Sequence, residues 1–481
     1  MSGATLTEST LDEFSSDFRG ELMSPETPGY DKARRLWNAM IDKRPALIAR
    51  CTGVADVMKA VDLARERDLV VAVRGGGHNV AGLATVDDGI VIDLSSMNAV
   101  HVDPDAGTAR VQGGALWADV DHETQAFGLA TPSGIISTTG VGGLTLGGGF
   151  GWLSRKHGLS ADNLQSANLV TAGGRFVTAN QDDTPDLFWA LRGGGGNFGI
   201  VTSFEFALHE VGPEVLFGPT VYRLKDAGHV LRHYRTFAET APDECTVYPD
   251  LLTAPPLPFL PEEVHGTKVL FLAQMYAGDM EEGEDVLRPL REFGDPIADA
   301  VAPTPYVEAQ RRSDPLFPDG GRYFWKSHNL ASLSDPVIDT VVDCARTMPT
   351  DLCDILIQQM GGRIGNPSSD ATAFPHRDTA FVLTLGGRSE RPGEDELCIE
   401  WARDWHSRLG KYAGAGVYVN FLSADQGENR LRAAYGENAR RLAAIKSRYD
   451  PENFFRRNQN IAPKVWDRSE EADPERSGGH V

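Results

Sequence analysis

Arg74-Gly75-Gly76-Gly77-His78-Asn79 follows directly on the apolar run Leu69-Val70-Val71-Ala72-Val73. Apolar β-formers running into three glycines read as a buried strand that ends in a loop built for close approach. Lacking Cβ atoms, such a loop offers bare N–H groups to a flat or anionic ligand. His78 closes the loop, and an imidazole at that tip is either a covalent tether or an ordinary turn histidine on the surface. A second glycine run has the same character: Thr138-Thr139-Gly140-Val141-Gly142-Gly143-Leu144-Thr145-Leu146-Gly147-Gly148-Gly149-Phe150-Gly151.

Outward from these loops, residues 45 to about 208 alternate β-rich runs with short helices and glycine turns. Strands are expected at 46–50, 69–74, 89–93, 108–112, 168–171 and 200–207, and helices at 54–67, 116–126 and 185–191. The pattern is that of an α+β unit with two small sheets. Gly194-Gly195-Gly196-Asn197-Phe198-Gly199 matches G-x-G-x-x-G, but it follows a helix and precedes a strand, the reverse of a dinucleotide fingerprint. We read it as a false match. No P-loop motif occurs.

From about residue 209 glycine thins and longer segments appear, such as 268–275, 379–385 and the helix-like 282–291. Pro255-Pro256-Leu257-Pro258 marks a rigid loop. A second domain is expected at 209–410. A helix at 437–449 precedes a charged stretch, 467–481, expected to be a disordered tail.

Composition narrows the function. At 481 residues two or three domains are expected. The formal net charge of −22 argues against nucleic acid and anionic membrane partners. Cys51, Cys245, Cys344, Cys353 and Cys398 are scattered without C-x-x-C spacing, so neither a disulfide framework nor a metal is expected. The first 18 residues are polar with no apolar core, and no run reaches spanning length. A cytoplasmic protein, monomeric or homodimeric, acting on a small molecule is the expectation.

Several longer motifs in fixed order now converge. Beyond the two glycine loops they are Trp152-Leu153-Ser154-Arg155, the stretch from Asp186 to Gly199, Tyr418-Val419-Asn420, Tyr435-Gly436-x-Asn438, and Tyr449-Asp450-Pro451-x-Asn453-x-Phe455, closing at Gln459-x-Ile461-x-Pro463. Over nearly its whole length the chain resembles the berberine-bridge-enzyme-like FAD-linked oxidases. The resemblance implies a vanillyl-alcohol-oxidase-type (PCMH) FAD-binding domain of two small α/β subdomains, formed by 1–208 with 411–466. A substrate domain of antiparallel sheet flanked by helices, 209–410, is inserted between them.

The resemblance also implies roles. His78 matches the residue bonded to the flavin 8α-methyl, and Arg74, Gly75, Gly76, Gly77, Asn79, Thr138, Thr139, Gly142, Gly143, Gly149, Val201, Tyr418 and Asn420 would hold the FAD. Ile136 stands where many members carry a second, cysteinyl link, so a single attachment is expected, as in the bacterial branch that includes nicotine-oxidising and antibiotic-tailoring enzymes. Thr139 matches the position that gates O2. Residues 417–421 alternate apolar and polar, which would put Tyr418 and Asn420 on one strand face. Tyr418 is then a candidate base or orienting phenol, or a buried tyrosine with a satisfied hydroxyl.

Gln358 lies on a strand with Asp354, Leu356 and Met360, either orienting substrate or simply filling a wet interface. Phe150, Tyr248, Tyr323 and Lys326 are candidate pocket residues. The resulting expectation is an oxidase of an alcohol or amine C–H that uses O2 and releases H2O2. Alternatives are an oxygenase or dehydrogenase of the same family, or a flavin- or drug-binding protein without turnover.

Overall fold

The computed structural model describes residues 8–414 and 416–463. The expected tail at 467–481 lies outside them. Three sheets carry the architecture. The first has strands Glu21–Met23, Leu47–Arg50, Ile90–Asp93 and Val71–Arg74 in that spatial order, the last three parallel. The parallel pairing needs a crossover, and the helix Val54–Glu66 supplies one. Val57, Ala60, Val61 and Ala64 on its buried face pack against Leu47, Ile90 and Ile92 of the sheet.

The second sheet is antiparallel: Val100–Asp103, Thr108–Gln112, Ile200–Ala207, Leu164–Val170 and Phe176–Asn180 in that order. The run expected to begin at residue 168 thus starts four residues earlier. Its polar Gln165, Ser166 and Asn168 weaken the apolar signal, but Ser166 and Asn168 lie on the face opposite buried Ala167 and Leu169, and exposed Gln165 falls at a break in the pairing.

The third sheet runs Ala298–Asp299, Glu214–Arg223, Lys268–Tyr276, Cys245–Thr253, Asp354–Gln359, Phe381–Ser389 and Arg322–Leu330, with Ala302–Pro305 pairing alongside Glu214–Arg223. Helices Ala227–Ala238, Met280–Arg291, Asp335–Arg346 and Asp395–Leu409 pack onto one face over a core that includes Leu231, Leu272, Val341, Ile355, Leu383 and Trp405. Phe381–Ser389 is buried at all nine positions, as expected of a central strand covered on both faces. Its opposite face looks toward the two glycine loops.

Those loops touch each other. A Cβ built on Gly76 would lie 2.5 Å from the Gly140 nitrogen, and one on Gly140 would lie 2.4 Å from the Gly76 nitrogen. Only glycine permits this backbone-to-backbone seam, and it locks the first sheet onto the second.

Candidate active site

A cavity of about 350 Å3 opens along that seam, within the range of small-ligand sites. Its walls come from all three sheets. Gly75, Gly76, Gly77, His78 and Asn79 form one rim, and Thr139, Gly140, Gly142 and Gly143 the other. Gly195, Gly196, Gly199 and Val201 line it as well. The reversed G-x-G-x-x-G run is therefore not a dinucleotide fingerprint, yet it forms part of the wall. Its glycines serve close approach in a setting where helix Pro185–Leu191 precedes strand Ile200–Ala207.

Phe455, Arg457, Asn458 and Gln459 close the far end. A buried ion pair fixes this segment: Lys446 Nζ lies 2.6 Å from Asp450 Oδ2 and also donates to the carbonyls of Asn197 and Phe455. Asp450 accepts the N–H groups of Phe454 and Phe455, and Asn197 bonds the backbone at Gln459 and Ile461. The terminal motif therefore works as a staple.

His78 sits at the inner rim. Its Nε2 is 3.0 Å from Thr138 Oγ1, which leaves Nδ1 for another bond, and its ring stacks on Trp37 at 4.5 Å. Trp37 in turn stacks on Tyr323 at 3.8 Å. Loss of solvent pushes His78 down to about 4, so its imidazole is neutral and nucleophilic at neutral pH. Ile135 and Ile136 line the cavity, and none of the five cysteines does.

Residues 417–421 depart from the expected strand. Val419–Phe421 is a short 3-10 turn with no partner strand to pair it. The turn brings Tyr418 and Asn420 together all the same. Tyr418 Oη accepts the Gly149 N–H at 3.2 Å and Asn420 Nδ2–H at 2.8 Å. Asn420 also donates to the Leu144 carbonyl. With both contacts accepted, the phenol keeps its own proton to give. Burial pushes Tyr418 up to about 12, so the hydroxyl is protonated at neutral pH.

Of the other expected site residues, Phe150, Gln358 and Thr139 line the cavity. Gln358 Oε1 is buried without a hydrogen-bond partner. Arg74 does not line it. Its guanidinium turns away to Asp93 at 2.5 Å and to the Ala33 carbonyl, so it braces the loop. Burial alone would push Asp93 up, but Arg74 outweighs that and holds its carboxyl below the usual range.

Tyr248 also stands outside the cavity wall, stacked on Trp152 with its hydroxyl on the Gly151 carbonyl. Tyr323 sits behind Trp37, its hydroxyl on the Pro318 carbonyl. Lys326 is paired with Asp425 at 2.5 Å. All three have their polar groups satisfied elsewhere. Thr138 and Gly149 likewise stand behind the wall and act through His78 and Tyr418. Sequence reasoning missed Trp37, Trp325, Asp354 and Arg388, all of which line it.

The seam suits a long, flat, partly anionic ligand. Glycine rims give bare N–H groups, Val73, Leu94 and Ile200 give an apolar floor, and Arg457 Nε and Asn458 Oδ1 are buried without partners at the far end. Residues 45–180 match the family model of an FAD binding domain, and residues 417–462 match that of berberine and berberine-like proteins. The chain is 33% identical to (R)-6-hydroxynicotine oxidase of Paenarthrobacter nicotinovorans over 93% of this chain and 97% of that one. The chain belongs to the berberine-bridge-like FAD-linked oxidoreductases.

An FAD-linked oxidoreductase of Dictyostelium discoideum is 31% identical over 94% of this chain and 97% of its own. Crystalline 6-hydroxy-D-nicotine oxidase from Arthrobacter nicotinovorans superposes with a TM-score of 0.84 at 30% identity, covering 93% of this chain and 99% of that one. Chitooligosaccharide oxidase, at 23% identity and a TM-score of 0.81, shares the fold. The chain thus has the PCMH-type α+β fold and an FAD-binding domain. Among the described residues no helix is long and apolar enough to cross a membrane, and no His/Cys/carboxylate group could hold a metal.

Proposed function

We propose that this oxidoreductase carries FAD bonded once, through His78, and oxidises a C–H bond next to an alcohol or amine, with O2 as acceptor and H2O2 as product. The observation that carries the reading is a neutral His78 at the cavity rim, with Nε2 held by Thr138. In this reading residues 1–208 and 411–466 bind the cofactor, and 209–410 carry the substrate face.

Bound FAD supplies the two-electron acceptor and its reoxidation by O2. The substrate loses a hydride and a proton, and O2 takes up the equivalent two electrons and two protons. His78 would hold the flavin through Nδ1, the ring nitrogen that Thr138 leaves free. Thr138 holds the imidazole in the required orientation. Tyr418, its lone pairs engaged by Gly149 and Asn420, points its O–H at the substrate heteroatom and orients it. Gln358 Oε1 offers an acceptor from the opposite wall, and Thr139 governs approach of O2 at the rim.

The test is acid denaturation of the purified protein followed by peptide mapping. Flavin that stays with the peptide containing His78, and is lost as a covalent adduct in His78→Ala, is the expected result. Flavin that washes off the wild-type chain whole would overturn the tether.

A further inference from the structure

The substrate-facing side of the third sheet holds a polar cluster that the reading above leaves unused. In register, Asp250 faces Leu356 and Leu252 faces Asp354, so Asp250 and Asp354 are diagonal neighbours. Asp354 faces Gly386, Leu356 faces Thr384, and Arg388 lies two residues beyond Gly386. Directly opposed residues project from one face, so Asp250, Asp354, Gln358, Thr384 and Arg388 point the same way. Gly386 leaves the room: a Cβ there would meet Asp354 Oδ1 at 2.0 Å.

Asp354, Gln358, Thr384 and Arg388 are each more than nine-tenths buried, and each lines the cavity. Asp250 Oδ1, Asp354 Oδ1, Gln358 Oε1 and Thr384 Oγ1 are sealed from solvent with no hydrogen-bond partner. Arg388 Nε approaches Asp354 Oδ1 to 3.4 Å, an ion pair without a hydrogen bond, and the guanidinium is held by the Leu316 carbonyl and the Phe317 ring. Buried acceptors left unmade are costly, and several converging on one cavity wall are explained by a ligand that brings donors.

Charge selects the donor. Burial pushes both carboxyls up, and their mutual repulsion pushes Asp250 further, while Arg388 pulls both down. Burial and the neighbouring carboxylate favour the protonated form of Asp250, and Arg388 beside Asp354 offsets the remaining negative charge. An anion would meet a carboxylate, and a full cation would meet Arg388. A neutral hydroxyl or amine N–H meets an acceptor without either penalty. The facing walls are rings: Trp37, Phe150, Phe317, Trp325 and Phe421. They suit a flat aromatic body.

Building on the proposed oxidase reading, we propose that Asp354 and Gln358 form the recognition subsite for an aromatic substrate, accepting a hydrogen bond from its ring-borne hydroxyl or amine, with Arg388, 3.4 Å from Asp354, as the positioning residue.

Isothermal titration calorimetry of the purified holoprotein with matched probes tests this, using 2-naphthol against 2-methoxynaphthalene, and cellobiose as a non-aromatic polyol. The hydroxyl probe is expected to bind about tenfold tighter than its methyl ether, the value of one well-made hydrogen bond. Asp354→Asn should bring that ratio near one while leaving the ether's affinity in place, and Asp250→Asn should preserve it. Gln358→Leu should reduce the ratio and keeps the test open should Asp354→Asn fail to fold. Equal binding of the two naphthalenes, equal weakening of both by Asp354→Asn, or binding of cellobiose alone would overturn the assignment. Flavin retention in acid is scored separately. A yellow, His78-linked protein without hydroxyl preference refutes the subsite and leaves the oxidase reading intact.

Discussion

Gly76 and Gly140 face each other across the seam with no space for a methyl group on either. The contact joins the loop after strand Val71–Arg74 to the loop that leads into helix Val141–Leu146, at the rim of the cavity. Gly143, on the same rim, has nothing within 4 Å of its would-be Cβ.

Gly76→Ala is therefore expected to cost about 3 kcal/mol of stability, the upper end of the usual overpacking penalty. Gly143→Ala should stay within about 0.5 kcal/mol of wild type, as open surface positions do. Urea denaturation of the two variants side by side checks the contrast. Equal stability would mean that the seam yields.

Tyr418→Phe removes the one group that accepts both the Gly149 N–H and Asn420 Nδ2–H. The rate of anaerobic substrate oxidation should fall about a hundredfold, the lower end of what a positioned proton-handling group contributes. Flavin content should not change, since the proposed covalent anchor is His78. Loss of flavin together with rate would show Tyr418 to be a structural brace.

Asp450→Asn leaves the buried Lys446 without a counter-charge beneath the Phe455–Gln459 wall. Breaking a buried pair from one side costs about 3 to 5 kcal/mol. Thermal melting should register that loss, and FAD affinity should fall with it. Unchanged cofactor affinity would separate the staple from the site.

Acid should destabilise the fold through its stacked histidines. His157 on His209, at 3.9 Å, and His328 on His406, at 4.0 Å, are pairs that burial keeps neutral. Desolvation pushes His157 and His406 down to about 3 and His328 to about 4. The unfolded chain takes up protons near pH 6.5, where the folded one does not. Stability is therefore full above about pH 6.5 and falls as pH drops toward 4. His406→Gln should flatten that slope in melting curves taken from pH 7 to pH 4.5. A slope as steep as wild type would assign the acid loss to other groups.

Most of the cavity's glycine-lined side was legible in the sequence, because it is carried by local signals. Three glycines after an apolar strand, and the histidine behind them, announce a close approach without any partner in view. The substrate side was not. Asp354 and Arg388 are distant in sequence, and each alone reads as a surface charge. Only the register that sets Asp354 beside Gly386, two residues from Arg388, makes them one cluster. Arg74 failed for the converse reason. Its place in a glycine motif suggested a ligand contact, but Asp93, reached through strand pairing, claims it. The Val417–Phe421 alternation gave the right neighbours through the wrong element, since a 3-10 turn can also bring residues two apart into contact.

The stapled segment at Phe455–Gln459 gives the protein a direction in time. Trp37 and Gln459 border the same cavity, so a ribosome must have made nearly the whole chain before the chamber has all its walls. The complete cavity is therefore available only once synthesis has passed Gln459. A fragment stopping short of the staple would lack the Phe455–Gln459 wall of that cavity.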